Sequence, residues 1–543
     1  MPHVITGRVF TSDRSDADAH LWAEAVVVDD DRIAYVGDLA AAREIAGADA
    51  GVIDAGGGVV LPGFVDGHAH VLMTGDSLLK AHLRTAADLD EIGRRLLAWA
   101  EANPDQPRVV GMGWLFSSVP GGRPTRQMLD AFIADRPVYL EASDFHSSWV
   151  NTAALAELGI TDDTPDPIGG RIVRDPVTGH ATGHLLENAS VTTVWPLLAG
   201  AVDDDARDRR LRAAIDAYVE SGVTAAVDMA LDRASVEAMA RAEAGDTLDV
   251  RVIGHWLVHR TGDPAEELRQ VDIAASMAQT HRSDRLRVIG IKLIVDGTID
   301  GCTAALVDPY ADGTNAAPIW DDESLVRVVT RADSLGLQVA LHAIGDRAVR
   351  SSIDALETAA RVNGTAGRRH RIEHLEYADA ADVPRLGALG ITASMQPVHV
   401  DPSMLPNWVA MLGDHRVERG FAWPEYLATG ATLAFGTDTP TAPHLPLHNM
   451  FIAATRRSPG NLSVPPHRPD FALPLIDAVV HGTADAAWAS WAEGRLGTLV
   501  PGAAADLVVL DRDPFMGDPE LLLDTTVLLT MSGGRIVHDR RPS

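Results

Sequence analysis

Cysteine is nearly absent from this chain of 543 residues, in which Cys302 is the only one. A single cysteine excludes an intrachain disulfide, and such usage is typical of a reducing compartment. Long apolar runs are absent too, since none approaches the ~18 residues that a membrane-spanning helix needs. The first residues also lack the basic and then apolar pattern of a secretory signal. We therefore expect a cytoplasmic protein.

Lysine is the second scarce residue. Among 46 lysines and arginines, only Lys80 and Lys292 are lysine. Either lysine could occupy its position by chance. The more specific interpretation is a lysine buried at a position where only an amine can carry out the chemistry. Burial allows a lysine to lose its proton, whereas an arginine stays charged.

Positive charge as a whole is in short supply. The 46 basic residues face 76 acidic ones, which leaves a formal net charge of −30. This negative net charge argues against nucleic acid and anionic membranes as partners. The chain is 46% hydrophobic, enough for a large buried core and more than one domain. We expect a globular protein whose partner is a small-molecule substrate.

The middle of the chain alternates short apolar runs with helical patterns. Eight parallel βα units favour a (β/α)₈ barrel of the α/β class. A doubly wound open sheet is the alternative, but its nucleotide fingerprint is missing, because GGGVVLPG does not open a helix. The eight predicted strands are 59–66, 223–229, 250–258, 287–295, 337–342, 370–374, 391–396 and 432–438.

Both ends of the chain have a different sequence pattern, in which short predicted strands are separated by turns. We predict that residues 1–61 and 491–543 pair into one small β-sandwich domain. The barrel domain then spans 62–490. Roughly 150 residues separate its first two strands, far more than a normal barrel connection. We therefore predict an inserted subdomain over 75–205.

Polar residues end the predicted strands, where the catalytic groups of barrels lie. In a strand, side chains two residues apart point to the same face, so His68 and His70 can reach one metal ion. Alone, each candidate has an ordinary explanation: a core histidine, a turn carboxylate, or a lysine paired with Asp296. Together they predict a metal site. The six candidates are His68 and His70 on strand one, Lys292 on strand four, His342 on strand five, His374 on strand six and Asp438 on strand eight.

The chemistry of these side chains suits Zn²⁺ and its neighbours. A neutral Lys292 amine can add CO₂ and become a carbamate that bridges two cations, which an arginine cannot do. Two metals about 3.5–4 Å apart would share one hydroxide. Asp438 would take the proton of the attacking hydroxide and pass it to the leaving nitrogen. We expect one or two zinc ions and a carbamylated Lys292, with Lys292 and Asp438 as the catalytic residues.

Several motifs carry a family resemblance along nearly the whole chain. They are LPGFVDGHAH (61–70), GGRPTR (121–126), HAIGDRA (342–348), WPEYLATGATLAFGTDTP (423–440) and EGRLGTLVPGAAADLVVLDRDP (493–514). With them the chain resembles the amidohydrolase superfamily, and within it the branch that contains N-substituted formamide deformylases. The resemblance implies His68, His70 and Asp438 on one metal, Lys292 as the carbamylated bridge, and His342 and His374 on a second metal.

One segment departs from that branch. Residues 296–304 read DGTIDGCTA, with Gly301 and Cys302 where serine and arginine are expected. If this loop lines the pocket, an anion-binding arginine has been lost. We also expect Glu373 to point away from the site, on the face opposite His374. Candidates for the substrate pocket are Trp114, Asp144, His146, Trp149 and Cys302, although core packing of the insertion would explain the tryptophans equally well.

The predicted function is hydrolysis of an amide-type C–N bond by a metal-bound hydroxide, with an N-substituted formamide as one substrate. A mononuclear deaminase, or an ester or carbamate hydrolase, on the same fold is the nearest alternative. A catalytically inactive scaffold is the alternative from another class. The resemblance also leaves a homodimer open.

Overall fold

The computed structural model of the chain describes residues 2–14, 21–143, 145–200, 202–364 and 367–541. The pocket candidate Asp144 lies outside these residues. The described strands form three sheets, of seven, six and eight strands.

The strands are numbered in chain order. They are β1 (His3–Phe10), β2 (Trp22–Asp29), β3 (Arg32–Gly37), β4 (Gly51–Pro62), β5 (Phe64–Ala69), β6 (Ala81–His82), β7 (Val109–Trp114), β8 (Val138–Ala142), β9 (Ser147–Val150), β10 (Gly170–Arg174), β11 (Ala181–Glu187), β12 (Val223–Leu231), β13 (Arg251–Leu257), β14 (Leu286–Ile294), β15 (Gln338–Ala343), β16 (Arg371–His374), β17 (Thr392–Met395), β18 (Leu433–Phe435), β19 (Leu507–Leu510), β20 (Val527–Ser532) and β21 (Arg535–Asp539).

The α-helices are numbered in the same way. They are α1 (Leu39–Ala46), α2 (Val71–Leu78), α3 (Leu89–Ala102), α4 (Arg126–Asp130), α5 (Thr152–Glu157), α6 (Asn188–Val191), α7 (Val194–Gly200), α8 (Asp204–Glu220), α9 (Arg233–Ala244), α10 (Pro264–Thr280), α11 (Asp322–Ser334), α12 (Asp346–Asn363), α13 (Val383–Leu389), α14 (Leu405–Leu412), α15 (Asp414–Val417), α16 (Trp423–Ala428), α17 (Pro446–Thr455), α18 (Leu475–His481) and α19 (Ala484–Ala489).

The eight-stranded sheet is the predicted barrel. Its order runs from β5 through β12 to β18 in sequence, and every paired strand is parallel. The first and last strands meet where the Asp438 N–H donates to the His68 carbonyl at 2.7 Å and Ala69 bridges Thr439. The strands are buried on both faces, as parallel strands covered by helices require. The (β/α)₈ prediction is confirmed, and the open-sheet alternative is wrong.

The first predicted strand, 59–66, is divided between two sheets. Residues up to Pro62 belong to β4, which pairs antiparallel with β19, whereas β5 enters the barrel. The break falls at Gly63, where an added Cβ would lie 2.2 Å from the Thr224 hydroxyl oxygen. A continuous apolar run hides this break, because both halves are fully buried.

The other two sheets lie outside the barrel. Strands from both ends form the seven-stranded sheet, in the order β21-β20-β19-β4-β1-β2-β3. The sandwich packing of this sheet stays a prediction. Strands β6 to β11 form the six-stranded sheet within the segment predicted as an insertion. Across the described residues, no helix combines the length and apolarity that crossing a membrane requires.

Candidate metal centre

The carboxyl ends of the barrel strands bring the metal-ligand candidates together. His68, His374 and Asp438 are buried, and each offers a donor atom within 4.8 Å of the others. His68 Nε2 lies 3.3 Å from Asp438 Oδ1, and His70 Nε2 lies 3.1 Å from the same oxygen. Strands one, six and eight therefore supply one compact donor group.

Hydrogen bonds fix which nitrogen each imidazole offers. His68 Nδ1 donates to Glu373 at 2.6 Å, and His374 Nδ1 donates to Gln396 Oε1 at 2.7 Å. Each bond leaves the Nε2 lone pair free for a ligand role, the usual arrangement behind metal-bound histidines. Burial lowers the pKa of His68 to about 4 and that of His374 well below its usual value. Both rings are therefore neutral, as coordination requires.

Glu373 reaches the site, contrary to the expectation that it points away. His374 has a left-handed backbone with φ of 76°, so the alternation of side chains along β16 ends there. Arg371 Nε donates to Glu373 at 2.6 Å. Burial would raise the pKa of Glu373, but Arg371 and His68 hold it well below its usual value. Glu373 is therefore a buried carboxylate that orients His68.

Asp438 is held by the joint between the first and last strands. Its backbone is left-handed, with φ of 56°. Its neighbour Thr437 donates its N–H at 2.8 Å and its hydroxyl at 2.6 Å to Asp66 of β5. Burial would raise the pKa of Asp438, but His68 and His70 hold it well below its usual value. The site therefore contains an ionised carboxylate beside neutral imidazoles.

Lys292 lies at the same centre and is not paired with Asp296. Its Nζ is 3.4 Å from His68 Nε2, and its side chain is buried. Asp296 instead accepts the backbone N–H groups of Ala305, Ile344 and Gly345. Burial lowers the pKa of Lys292 to about 8. An appreciable fraction of the amine is therefore neutral near physiological pH.

The other lysine has the opposite surroundings. Lys80 Nζ lies 2.5 Å from both Asp76 and Glu141. Burial would lower the pKa of Lys80, but these two carboxylates raise it above its usual value. Lys80 is therefore a charged structural residue, and Lys292 alone has the environment of a reactive amine.

His342 lies beside the donor group. Its ring centroid is 4.4 Å from that of His374, while its Nε2 lies 3.4 Å from the Gly297 carbonyl. Its pKa is lowered well below the usual value by burial. The predicted pocket residue His146 packs its ring 4.7 Å from His342, and Glu187 accepts from its Nδ1 at 2.6 Å. The insertion therefore reaches the centre through His146.

Three other pocket candidates lie elsewhere. Trp114 and Trp149 are fully buried, pack their rings 5.6 Å apart, and belong to the apolar core of the insertion. Neither tryptophan is among the residues that line the cavity described below, and core packing is the role that their contacts support. Cys302 is half-buried with Sγ 3.0 Å from Met411 Sδ. It is not among the residues that line the cavity described below.

Sequence reasoning missed His399, which lies in a short 3₁₀-helix, Pro397–Val400, after β17. Its Nδ1 donates to Glu376 at 3.1 Å, its Nε2 lies 3.5 Å from Asp438 Oδ2, and its ring stacks on His374 at 5.7 Å. His374, Glu376 and His399 form a second group of possible donors. The signal was weak because His399 stands four residues beyond the end of its strand.

A two-lobed cavity opens over the centre. One lobe of about 510 Å³ has a mainly apolar wall. The other, of about 560 Å³, has a wall of both polar and apolar groups, and we call it the polar lobe because the charged residues Arg84, Asp300 and Glu376 line it. Both are lined by His146, His342, His374, Asp438 and Thr441. The apolar wall includes Met73, Phe145, Val191, Trp195, Met229 and Leu257.

This donor set fits a divalent first-row cation. The neutral imidazoles of His68 and His374 and the carboxylate of Asp438 converge there, and the Nδ1 atoms of these two histidines are already hydrogen-bonded. His70 Nδ1 is the exception, because it is buried without a partner among the described residues. The arrangement suits a cation that polarises a carbonyl and activates water.

Comparisons with known proteins agree with this geometry. The "Amidohydrolase family" matches residues 51–538. The chain is 31% identical over 530 residues to the putative amidohydrolase YtcJ of Bacillus subtilis, covering 95% of this chain and 96% of that one. It is 28% identical over 550 residues to the N-substituted formamide deformylase of Arthrobacter pascens, covering 96% of each.

A solved structure agrees as well. An uncharacterized metal-dependent hydrolase from Pyrococcus horikoshii superposes with a TM-score of 0.76 at 26% identity, covering 96% of this chain and 99% of that one. The barrel, the converging donors and the match over most of the chain lead to one conclusion: this protein is a hydrolase that belongs to the amidohydrolase family.

Proposed function

We propose that this protein is a metal-dependent hydrolase of amide C–N bonds that acts on N-substituted formamides or related amides. The observation that carries the proposal is the donor group of His68, His374 and Asp438 at the junction of the two lobes. The similarity to a formamide deformylase supports the substrate class.

Six residues would hold the metal. A bound divalent cation would polarise the substrate carbonyl and lower the pKa of water to about 7. Asp438 is ionised and lies where it can accept a proton from water and deliver it to the leaving nitrogen. The residues are His68, His70, Lys292, His342, His374 and Asp438.

Lys292 would complete the site as a carbamate. Its neutral amine would attack CO₂, with formation of a N–C bond and loss of one proton, and the resulting anionic carbamate would be a further ligand for metal. The low pKa of Lys292 supports this role, since only the unprotonated amine reacts. The environment of Lys80 does not favour the same reaction, because its two carboxylate partners keep it charged.

Metal content per chain tests this site. Protein expressed with zinc and bicarbonate should hold near two metals, falling to one or none in Lys292→Ala. Lys292→Arg should lose hydrolysis of formamides while keeping the fold, because a guanidinium cannot add CO₂. Lys80→Arg is the matched control and should keep its metal and its activity. Substantial turnover by Lys292→Arg would refute the carbamate.

A mononuclear enzyme, such as a deaminase, is the second candidate. The compact donor group contains neither Lys292 nor His342, which is the arrangement that a single metal would use. One metal per chain in both the wild type and Lys292→Ala would favour this candidate and return Lys292 to a structural role.

A further inference from the structure

Within the part of the chain that the structure describes, one cation in the cavity has no ion-pair partner. Arg84 follows β6 and lines the polar lobe. Its Nη2 atom is buried and has no hydrogen-bond partner among the described residues. The charge of Asp401 raises the pKa of Arg84 without forming an ion pair with it, and the charge of Arg84 in turn lowers the pKa of His399.

The acidic groups that share this lobe are already engaged. Glu376 accepts from His399 at 3.1 Å, and Asp300 accepts from the side-chain amide of Asn407 at 2.5 Å. Asp438 lies among the histidines of the metal centre. No carboxylate among the described residues of this lobe therefore pairs with Arg84, which leaves it able to bind an anion from outside the protein.

The backbone holds Arg84 in this position. The preceding residue, Leu83, donates its N–H to the Met112 carbonyl of β7 at 2.9 Å. Gly113 of β7 lies next to Arg84 and has a left-handed backbone with φ of 84°. A Cβ added to Gly113 would lie 3.2 Å from the Cβ of Arg84. The close approach of the two strands therefore builds this position into the six-stranded sheet.

An unpaired guanidinium in a narrow cavity is unfavourable until an anion joins it. Burial lowers the pKa of Arg84 to about 10, which leaves it protonated at neutral pH. Its planar donors match the two oxygens of a carboxylate. The chain has a formal net charge of −30, so a local cation favours the binding of an anion in this cavity.

We propose that Arg84 binds a carboxylate of the substrate, and that the substrate is an N-formyl or other N-acyl derivative of an amino acid with an apolar side chain. This inference rests on the proposed function. The amide would lie where the lobes meet, the apolar side chain beside Met73 and Leu257, and the carboxylate in the polar lobe.

The reaction balances without a further reactant. Water adds its oxygen to the acyl carbon, the C–N bond breaks, and a proton passes to the nitrogen. An N-formyl amino acid would yield formate and the free amino acid.

A matched pair of substrates tests the inference in the metal-loaded enzyme. N-formylphenylalanine and its primary amide have nearly the same size, but only the first carries a negative charge. Wild type should prefer the acid by about 100-fold in kcat/KM, the range of a charge-assisted hydrogen-bonded pair. Arg84→Met should lose that preference with the neutral amide nearly unchanged, and Arg84→Lys should keep part of it.

Arg94→Met is the control variant, because Arg94 is exposed on α3 of the same insertion. It should behave as wild type, and thermal unfolding should show that all variants are folded. Equal turnover of acid and amide by wild type would overturn the inference. Equal loss of both substrates in folded Arg84→Met would overturn it too.

A neutral formamide separates this inference from the proposed function. Hydrolysis of N-benzylformamide without any preference for the acid would leave the function standing and refute the role of Arg84. If no formamide is hydrolysed, the proposed function fails. Calorimetric titration with N-formylphenylalanine then tests the carboxylate site at Arg84 separately. Weaker binding to Arg84→Met than to wild type would support a carboxylate site, and equal binding would overturn it.

Discussion

At the scale of single residues, the chemistry of this site depends on groups that hydrogen-bond to the Nδ1 atoms of the candidate metal-ligand histidines. Glu373 and Gln396 each accept from an Nδ1 atom and so present the Nε2 atoms of His68 and His374 to the centre. Arg371 supplies the positive charge that keeps Glu373 ionised in a fully buried position. Such partners tune metal affinity without binding the metal themselves.

Glu373→Gln should weaken zinc binding by about 10- to 100-fold, because an amide accepts more weakly and leaves the Arg371 charge unpaired. Competition with a chromophoric chelator would measure the affinity. Glu376→Gln is a comparison and not a neutral control, because it alters a possible donor that contacts His399 and leaves the partner of His68 in place. Unchanged zinc affinity in Glu373→Gln would show that His68 needs no anionic partner.

At the scale of elements, the position of the site depends on where the terminal sheet ends and the barrel begins. Gly63 marks that point, between β4 and β5. Its N–H donates to the Asp506 carbonyl at 3.0 Å, and Thr224 of β12 packs against its Cα. The contact at Gly63 therefore fixes the start of the strand that carries His68 near its end and leads directly to His70.

Gly63→Ala should destabilise the fold by about 1–3 kcal/mol, the usual effect of overpacking a filled core. The added methyl would lie 2.2 Å from the Thr224 hydroxyl oxygen. Urea unfolding would measure the loss. Combining it with Thr224→Ala should recover part of the stability, since the nearest atoms are removed. If the losses of stability from the two substitutions simply add, the strain in Gly63→Ala does not come from contact with Thr224.

At the scale of the whole molecule, buried ion pairs connect the sheets. Arg251 of β13 forms two bonds to Asp506 beside the terminal sheet, at 2.8 and 3.1 Å, and both side chains are buried. Gly533, after β20, also donates to Asp506 at 2.7 Å. The terminal sheet is thereby tied to the base of the barrel, away from the metal centre.

Asp506→Asn should lower the free energy of unfolding by about 3–5 kcal/mol, because it leaves the Arg251 charge buried without its partner. Chemical denaturation would measure this loss, with metal content as a check that the centre is intact. The double variant Arg251→Met, Asp506→Leu should regain much of the stability. If it is as unstable as the single variant, the ion pair itself, and not the orphaned charge, stabilises the fold.

The sequence by itself determined the barrel and the six residues at its strand ends. Both follow from local rules, since apolar runs mark parallel strands and the ends of such strands share one edge. The location of the metal-ligand candidates could be predicted for the same reason.

Only the tertiary structure decided how the site is completed. Glu373 reaches it beside the left-handed residue His374, which strand alternation does not foresee, and His399 reaches it from a short 3₁₀-helix. Arg84 comes from the segment predicted as an insertion and lines the cavity beside residues of the barrel, whereas Trp114 packs in the core of that segment. Contacts between segments far apart in the chain set these positions, and no local periodicity encodes them.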